Sequence, residues 1–435
     1  MRYLHVAGKP SPGRIDFNPA ILRQTGLCLY SLIEGLKQSN FNTHTLRMVI
    51  ESIKSYSDMY VNPVTGEIFV DSGGYSIIVG YVHPEDIRRF IGCYNVFAEH
   101  ERHVYQAIFS LDIPFSKNFP SFNTKQNIYE FNEISLRSAR ELLLKYPEIQ
   151  DKYFFVWHFK MLSQYGIWKD IDDKLGLNGI IKNRAIGGMV ALRGITGIKF
   201  SPFTPLAYRC LFDYINAKDY QRPFTLHLLG MYIPYDRFQM ALLDHLFARY
   251  LEGQIEVKLT YDSINPSHVV RMNKVLQLYV PNGNDLVVYP SLTDAPHELL
   301  ESIYAEDADF LIDEIGRRRS DRNIVHSDSL AALNIFSNKN IDNFFLHVVE
   351  SYGIADMFFR FKSSTPVLYE VDLILRDLSK KYKGLFTRST VSSIKKNIEI
   401  TFLYHDWLIN YRDYTSLDTM IVQFIKSIKF PFDLS

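Results

Sequence analysis

Residues 69–75 read FVDSGGY, an apolar, strand-like run that ends in a carboxylate, a hydroxyl and two glycines before an aromatic. A tight turn needs one glycine, or at most two. It does not need an acid fixed at the end of a strand. The fold therefore turns on whether other strands in the chain finish the same way.

Eight short runs rich in β-branched and aromatic residues are spaced over the first 290 residues. They are RYLHVA (2–7), EIFVDS (67–72), AIFSLDI (107–113), YFFVWHF (153–159), RAIGGMV (184–190), FTLHLLG (224–230), EVKLTYD (256–262) and DLVVYP (285–290). Each has strand length. Helical patterns lie between them. In YDRFQMALLDHLFARYLEG (235–253), Phe238, Leu242 and Leu246 share one face and Asp236 suits the first turn. NEISLRSARELLLKYPEI (132–149) and HTLRMVIESIKSYSDMY (44–60) read the same way. Strands alternating with helices predict parallel β/α units, and a count of eight predicts an α/β fold of the closed (β/α)8 TIM type over residues 1–299. From about residue 300 the rhythm becomes helical with polar connectors, as in DSLAALNIFSNKNIDNFFLHVVESYG (328–353) and VDLILRDLSKKYKGLF (371–386). Residues 300–435 are thus expected to form a mostly helical C-terminal region.

In such a barrel the site forms at the C-terminal ends of the strands. Those ends read Asp71-Ser72-Gly73-Gly74, Asp112, His158, Gly187-Gly188, Leu229-Gly230 and Asp262. Taken singly, each has an ordinary explanation. A strand-end Asp caps a turn or helix, a Gly-Gly pair makes a turn, and a His between Trp157 and Phe159 is a hydrogen-bonded core residue. Together they place three carboxylates and an imidazole on one face, with glycines for close approach of a flat ligand.

The composition narrows the class. Lys plus Arg equals Asp plus Glu, 48 each in 435 residues, so any polyanion must be held by a local patch. Cys28, Cys93 and Cys210 are too far apart for a disulfide scaffold and point to a reducing compartment. No apolar run approaches the roughly 18 residues of a membrane span. The opening MRYLHVAGKPSPGR meets Pro and Gly too soon for a signal-peptide core. The expected setting is cytoplasmic, with no membrane partner. The 28 tyrosines and 31 phenylalanines are chiefly core packing, with a minority free to stack on bases.

VDSGGY, SLDIP, AIGGM, HLLGM and LTYDS together resemble, in order and spacing, the barrel motifs of the tRNA-guanine transglycosylases, over roughly residues 65–265. Those enzymes exchange guanine in RNA for a 7-deazaguanine. The resemblance implies Asp262 as nucleophile and Asp71 as general acid/base. It implies Asp112 as acceptor from the N1 and N2 edge of guanine, and the Gly188 N–H as donor to O6. Tyr75 and Leu229 would stack on the two faces of the base, and His158 stands where the family commonly has a glutamine that contacts O6. Ser72, Gly187, Met189 and Gly230 would complete the base site, with Met189 near the 7-substituent. The chemistry would be a double displacement through a covalent glycosyl-aspartate, with no cofactor.

The chain departs from that family after the nucleophile. No cysteine follows Asp262, so the family's Cys-x-Cys-x-x-Cys and His zinc site is missing, and His297, His326, His347 and His405 are too scattered to replace it. No metal is expected. The basic loop is thin, offering Arg271 and Lys274. Zinc loss is associated with the DNA-modifying, DpdA-like branch, which implies DNA as partner along with a free 7-deazaguanine. DNA would require a flipped guanine. Phosphate contacts would come from Arg317, Arg318, Arg319 and Arg322, or from Lys380, Lys381 and Lys383; solvated helix ends explain these runs equally well. Three alternatives remain at this level: a zinc-free relative acting on tRNA, a non-catalytic accessory subunit, and an unrelated barrel glycosidase.

Overall fold

A computed structural model of the chain describes residues 1–6, 27–31, 67–78, 80, 82–103, 105–115, 119–189, 192, 197–218, 222–231, 233–263, 277–304, 328–431 and 433. The protein is α/β, built around a curled, all-parallel sheet. Its strands are β1 (Arg2–Val6), β2 (Leu27–Ser31), β3 (Glu67–Asp71), β4 (Ala107–Phe109), β5 (Tyr153–Trp157), β6 (Asn183–Ile186), β7 (Phe224–Leu228) and β8 (Val257–Ser263). From β3 to β8 each strand pairs in parallel with the next. β2 pairs with β3, and β1 pairs with β2 and with β8, also in parallel.

Side-chain alternation divides the sheet into two apolar clusters. Leu4, Phe69, Ala107, Phe109, Phe154, Val156 and Ala185 pack together on the concave side, with Leu229 against them. The intervening residues, among them Val70, Ile108, Phe155, Trp157, Ile186, Leu226, Leu228 and Tyr261, join the larger cluster shared with the helices. This is the period of two expected of a pleated strand. It fixes which residue at each strand end faces inward.

Helices follow the strands: Ile87–His100 after β3, Lys125–Lys145 after β4, Leu162–Leu175 after β5, Thr204–Ala217 after β6 and Pro234–Tyr250 after β7. Thr124 caps the second of these, its Oγ1 accepting the Asn127 N–H at 3.1 Å. Pro205 and Pro234 begin two others, where a missing N–H costs nothing. The helical segment expected over 44–60 lies outside the described residues.

Two strand expectations need correction. DLVVYP is not a strand of the parallel sheet. Asp285–Tyr289 (β10) pairs antiparallel with Leu278–Asn282 (β9), joined by the two residues Gly283 and Asn284, with Gly283 at φ +62°. A two-residue Gly-Asn link between two apolar runs is a hairpin signal, and the nearest partner won. In its place the sheet takes LCLYS at β2. AIFSLDI is also shorter as a strand than expected, ending at Phe109, so Asp112 lies beyond it.

After residue 328 the described chain is helical: Asp328–Ser351, Ile354–Arg360, Ser364–Lys381, Arg388–Asn410 and Tyr414–Ile428. These pack on the sheet's own helices, chiefly Thr204–Ala217 and Pro234–Tyr250. One apolar cluster runs from Val70 to Ile428, across the expected division at 299/300, where the helix His297–Tyr304 lies. Two ion pairs bind the layers, the first buried and the second partly buried. Arg237 Nε donates to Asp342 Oδ1 at 2.6 Å, and Arg209 Nη1 to Asp418 Oδ1 at 2.6 Å. Among the described residues no helix is long and apolar enough to cross a membrane.

Candidate active site

The strand-end residues of β3 through β8 converge on one side of the sheet, and each glycine of DSGG has a local cause. Asp71 follows Phe69 on the inward face of β3. Ser72 is fully buried, and its Oγ donates to Asp112 Oδ1 at 2.7 Å. Gly73 has φ +81°, a conformation that a side chain would strain. At Gly74 a Cβ would sit 2.6 Å from Asp112 Oδ2. The space this glycine leaves open is therefore filled by a carboxylate of the protein, not by an approaching ligand.

Asp112 is held without a strand. The backbone on either side of it is pinned by two polar residues from the buried face of the helix Lys125–Lys145. The Ile113 N–H donates to Asn132 Oδ1 at 2.8 Å, and Asn132 Nδ2 donates to the Ile113 carbonyl at 3.0 Å. Ser135 Oγ donates to the Leu111 carbonyl at 2.9 Å. The second Asp112 oxygen, Oδ2, meets His158 Nε2 at 2.6 Å. Both side chains are almost wholly buried.

His158 continues the inward alternation of Phe154 and Val156. Its ring lies 5.0 Å from that of Trp168. Against it rest Gly187, whose Cβ would come within 3.0 Å of His158 Cε1, and Gly188, at φ +83° with a Cβ position 3.2 Å from His158 Nδ1. The Gly-Gly pair thus admits an imidazole. Nδ1 is buried and makes no hydrogen bond. Such an atom costs free energy unless a ligand or water satisfies it.

Asp262 stands opposite, on the inward face of β8 beside β7. Its Oδ1 accepts the Gly230 N–H at 2.9 Å and lies 3.2 Å from His227 Nε2. Gly230, at φ +76°, turns that N–H toward it. His227 Nδ1 in turn lies 2.8 Å from Thr260 Oγ1. Neither His227 nor Thr260 was among the expected site residues. The signal was available, because each precedes an expected inward residue, Leu229 or Asp262, by two positions.

Asp71 feels the charges of both Asp112 and Asp262, and its proton affinity is far from that of an exposed acid. Its pKa is raised from 3.8 to about 8, first by burial, then by the like charges of Asp112 and Asp262, with the Gly73 and Ser72 N–H groups pulling partly back. Two buried carboxylates with fixed donors and a third that holds its proton near neutrality form an acid beside potential nucleophiles. Perturbed groups of this kind concentrate at functional sites.

No protein-family model and no curated protein matches the chain.

Leu229 is half-buried at the mouth against the concave cluster. Met189 is fully buried and belongs to the larger apolar cluster. The Tyr75 side chain and Arg271, Lys274, Arg317, Arg318, Arg319, Arg322 and His326 lie outside the described residues. Of the C-terminal lysines, Lys380 pairs with Asp377 and Lys381 with Asp285, while Lys383 is exposed. His405 is buried, contacts Tyr208 through Nδ1 and packs against Phe358 and Phe359. Among the described residues no three His, Cys, Asp or Glu side chains are placed to hold a metal.

Proposed function

We propose that the protein is a transglycosylase that exchanges guanine in DNA for a free 7-deazaguanine, on a complete (β/α)8 barrel whose strand ends carry the reaction. The observation that carries this reading is the division of labour among three converging acids: Asp262 anchored by N–H donors, Asp112 held by Ser72 and His158, and Asp71 protonated near neutral pH.

The steps balance as a double displacement. An Asp262 oxygen attacks C1′, the C1′–N9 bond breaks, and its electron pair leaves with the guanine. Asp71, holding a proton up to about pH 8, gives that proton to the departing base. The incoming 7-deazaguanine then returns a proton to the Asp71 carboxylate and displaces Asp262 from C1′. One glycosidic bond replaces another, so the exchange needs no redox partner or nucleotide hydrolysis. Asp112 and the unpartnered His158 Nδ1 beside Gly188 supply polar contacts for the base edge. DNA is favoured over RNA because no cysteine follows Asp262, where the tRNA enzymes that the sequence resembles bind zinc.

The test is a base-exchange assay with radiolabelled guanine and 7-cyano-7-deazaguanine, offered duplex DNA and tRNA in parallel. Label entering DNA, and lost in Asp262→Ala, is the expected result. Label entering only tRNA overturns the DNA assignment. Label entering neither nucleic acid overturns the transglycosylase reading.

A further inference from the structure

We infer that the His227–Thr260 pair is a positioning device that commits Asp262 Oδ1 to hydrogen bonding and leaves Oδ2 as the attacking oxygen. The inference rests on the proposed role of Asp262 as nucleophile, but its geometry can be tested without turnover.

Thr260 and His227 are register partners on β8 and β7, both inward-facing, and His227 is wholly buried. A carboxylate oxygen can only accept, so the contact between His227 Nε2 and Asp262 Oδ1 requires the proton on Nε2. In the neutral ring Nδ1 is then an acceptor, and the Thr260 hydroxyl at 2.8 Å must donate to it. Asp262 thereby selects the tautomer, and the Thr260 hydroxyl, which can donate or accept, satisfies the nitrogen left over. The relay runs Thr260 O–H to His227 Nδ1, then His227 Nε2–H to Asp262 Oδ1.

Gly230 N–H adds a second donor to the same oxygen. Oδ2 has no hydrogen bond among the described residues. It is also not among the buried atoms left without a partner, and the side chain keeps 11% of its surface open. The open oxygen is therefore Oδ2. During the proposed reaction the Oδ2–C1′ bond forms as the C1′–N9 bond breaks and its pair leaves on the base. The two donors on Oδ1 hold the carboxylate plane still throughout. Orientation of this kind changes the rate of attack more than the binding of substrate.

The experiment compares wild type with His227→Phe, His227→Gln, Thr260→Val and Asp262→Ala, using base exchange and 15N spectra of histidine-labelled full-length protein. His227→Phe is expected to lower kcat about 10- to 100-fold, the worth of a hydrogen bond to a charged group, with KM for the nucleic acid little changed. His227→Gln, which restores an N–H toward Oδ1, should recover most of that loss. Equal losses in Phe and Gln, or a loss confined to KM, would overturn the positioning role. The spectra decide independently of activity. The His227 ring should show the Nε2–H tautomer in wild type and in Thr260→Val, with that preference lost in Asp262→Ala. An Nδ1–H tautomer in wild type would reverse the relay and refute the inference. If no exchange occurs on any nucleic acid, the transglycosylase reading fails while the spectra still decide the relay.

Discussion

Replacing Asp71 with asparagine should stabilise the protein by an amount that grows with pH. The folded state holds the Asp71 proton up to about pH 8, whereas in the unfolded chain the carboxyl ionises near its ordinary 3.8. Between those values the folded state binds one proton more than the unfolded state, so stability falls as pH rises, by about 1.4 kcal/mol per pH unit. The contribution is complete below the unfolded value and is lost as pH climbs to the folded one. Asparagine does not titrate, so the variant escapes this slope. Its advantage over wild type should widen by about 2 to 3 kcal/mol from pH 5 to pH 7 and level off above pH 8. A native value one unit lower would move the levelling point to about pH 7 and leave the slope below it unchanged. Any fixed cost of the amide in the pocket cancels in the pH difference, as do neighbouring groups that titrate alike in both proteins. Urea unfolding of both at unit steps from pH 5 to pH 9 measures the gap directly. A gap that is flat or narrows with pH would refute the claim that Asp71 keeps its proton near neutrality, and with it the general-acid role. If the role is right, the same variant should lose base exchange while gaining stability.

Gly74→Ala should disable the site without unfolding the chain. The added methyl must displace an Asp112 carboxylate held on one side by Ser72 and on the other by His158. A stability loss of about 1–3 kcal/mol by urea unfolding is expected, together with loss of base exchange; wild-type exchange in this variant would show that Asp112 is not needed where it stands. Asp342→Ala should cost about 3–5 kcal/mol, because it leaves the buried Arg237 guanidinium uncompensated. It also strips the Tyr261 hydroxyl, beside Asp262, of its 2.6 Å partner. A loss below 1 kcal/mol in chemical denaturation would mean that the C-terminal helices do not brace β8 through this pair.

How much of the site was legible depended on whether its residues obey strand alternation. Phe69 and Asp71, Val156 and His158, His227 and Leu229, Thr260 and Asp262 are each two apart on one inward face, so reading the strands in pairs would have found His227 and Thr260 as readily as the acids. Asp112 follows a different rule. Its strand stops at Phe109, and its place is set by Asn132 and Ser135, which in the sequence look like polar interruptions of an amphipathic helix. A buried polar residue on a helix is costly unless bonded, and here the bond is to the backbone that carries an acid. The glycines misled in the same instructive way. Gly74 and Gly187 were read as leaving room for a flat ligand, yet the atoms they would crowd belong to Asp112 and His158. The Gly-Gly signature thus records how tightly the acids and imidazoles of the mouth are packed against one another. That packing accounts for both the displaced proton affinity of Asp71 and the unpartnered nitrogen of His158, because groups crowded together this closely cannot all be solvated by water.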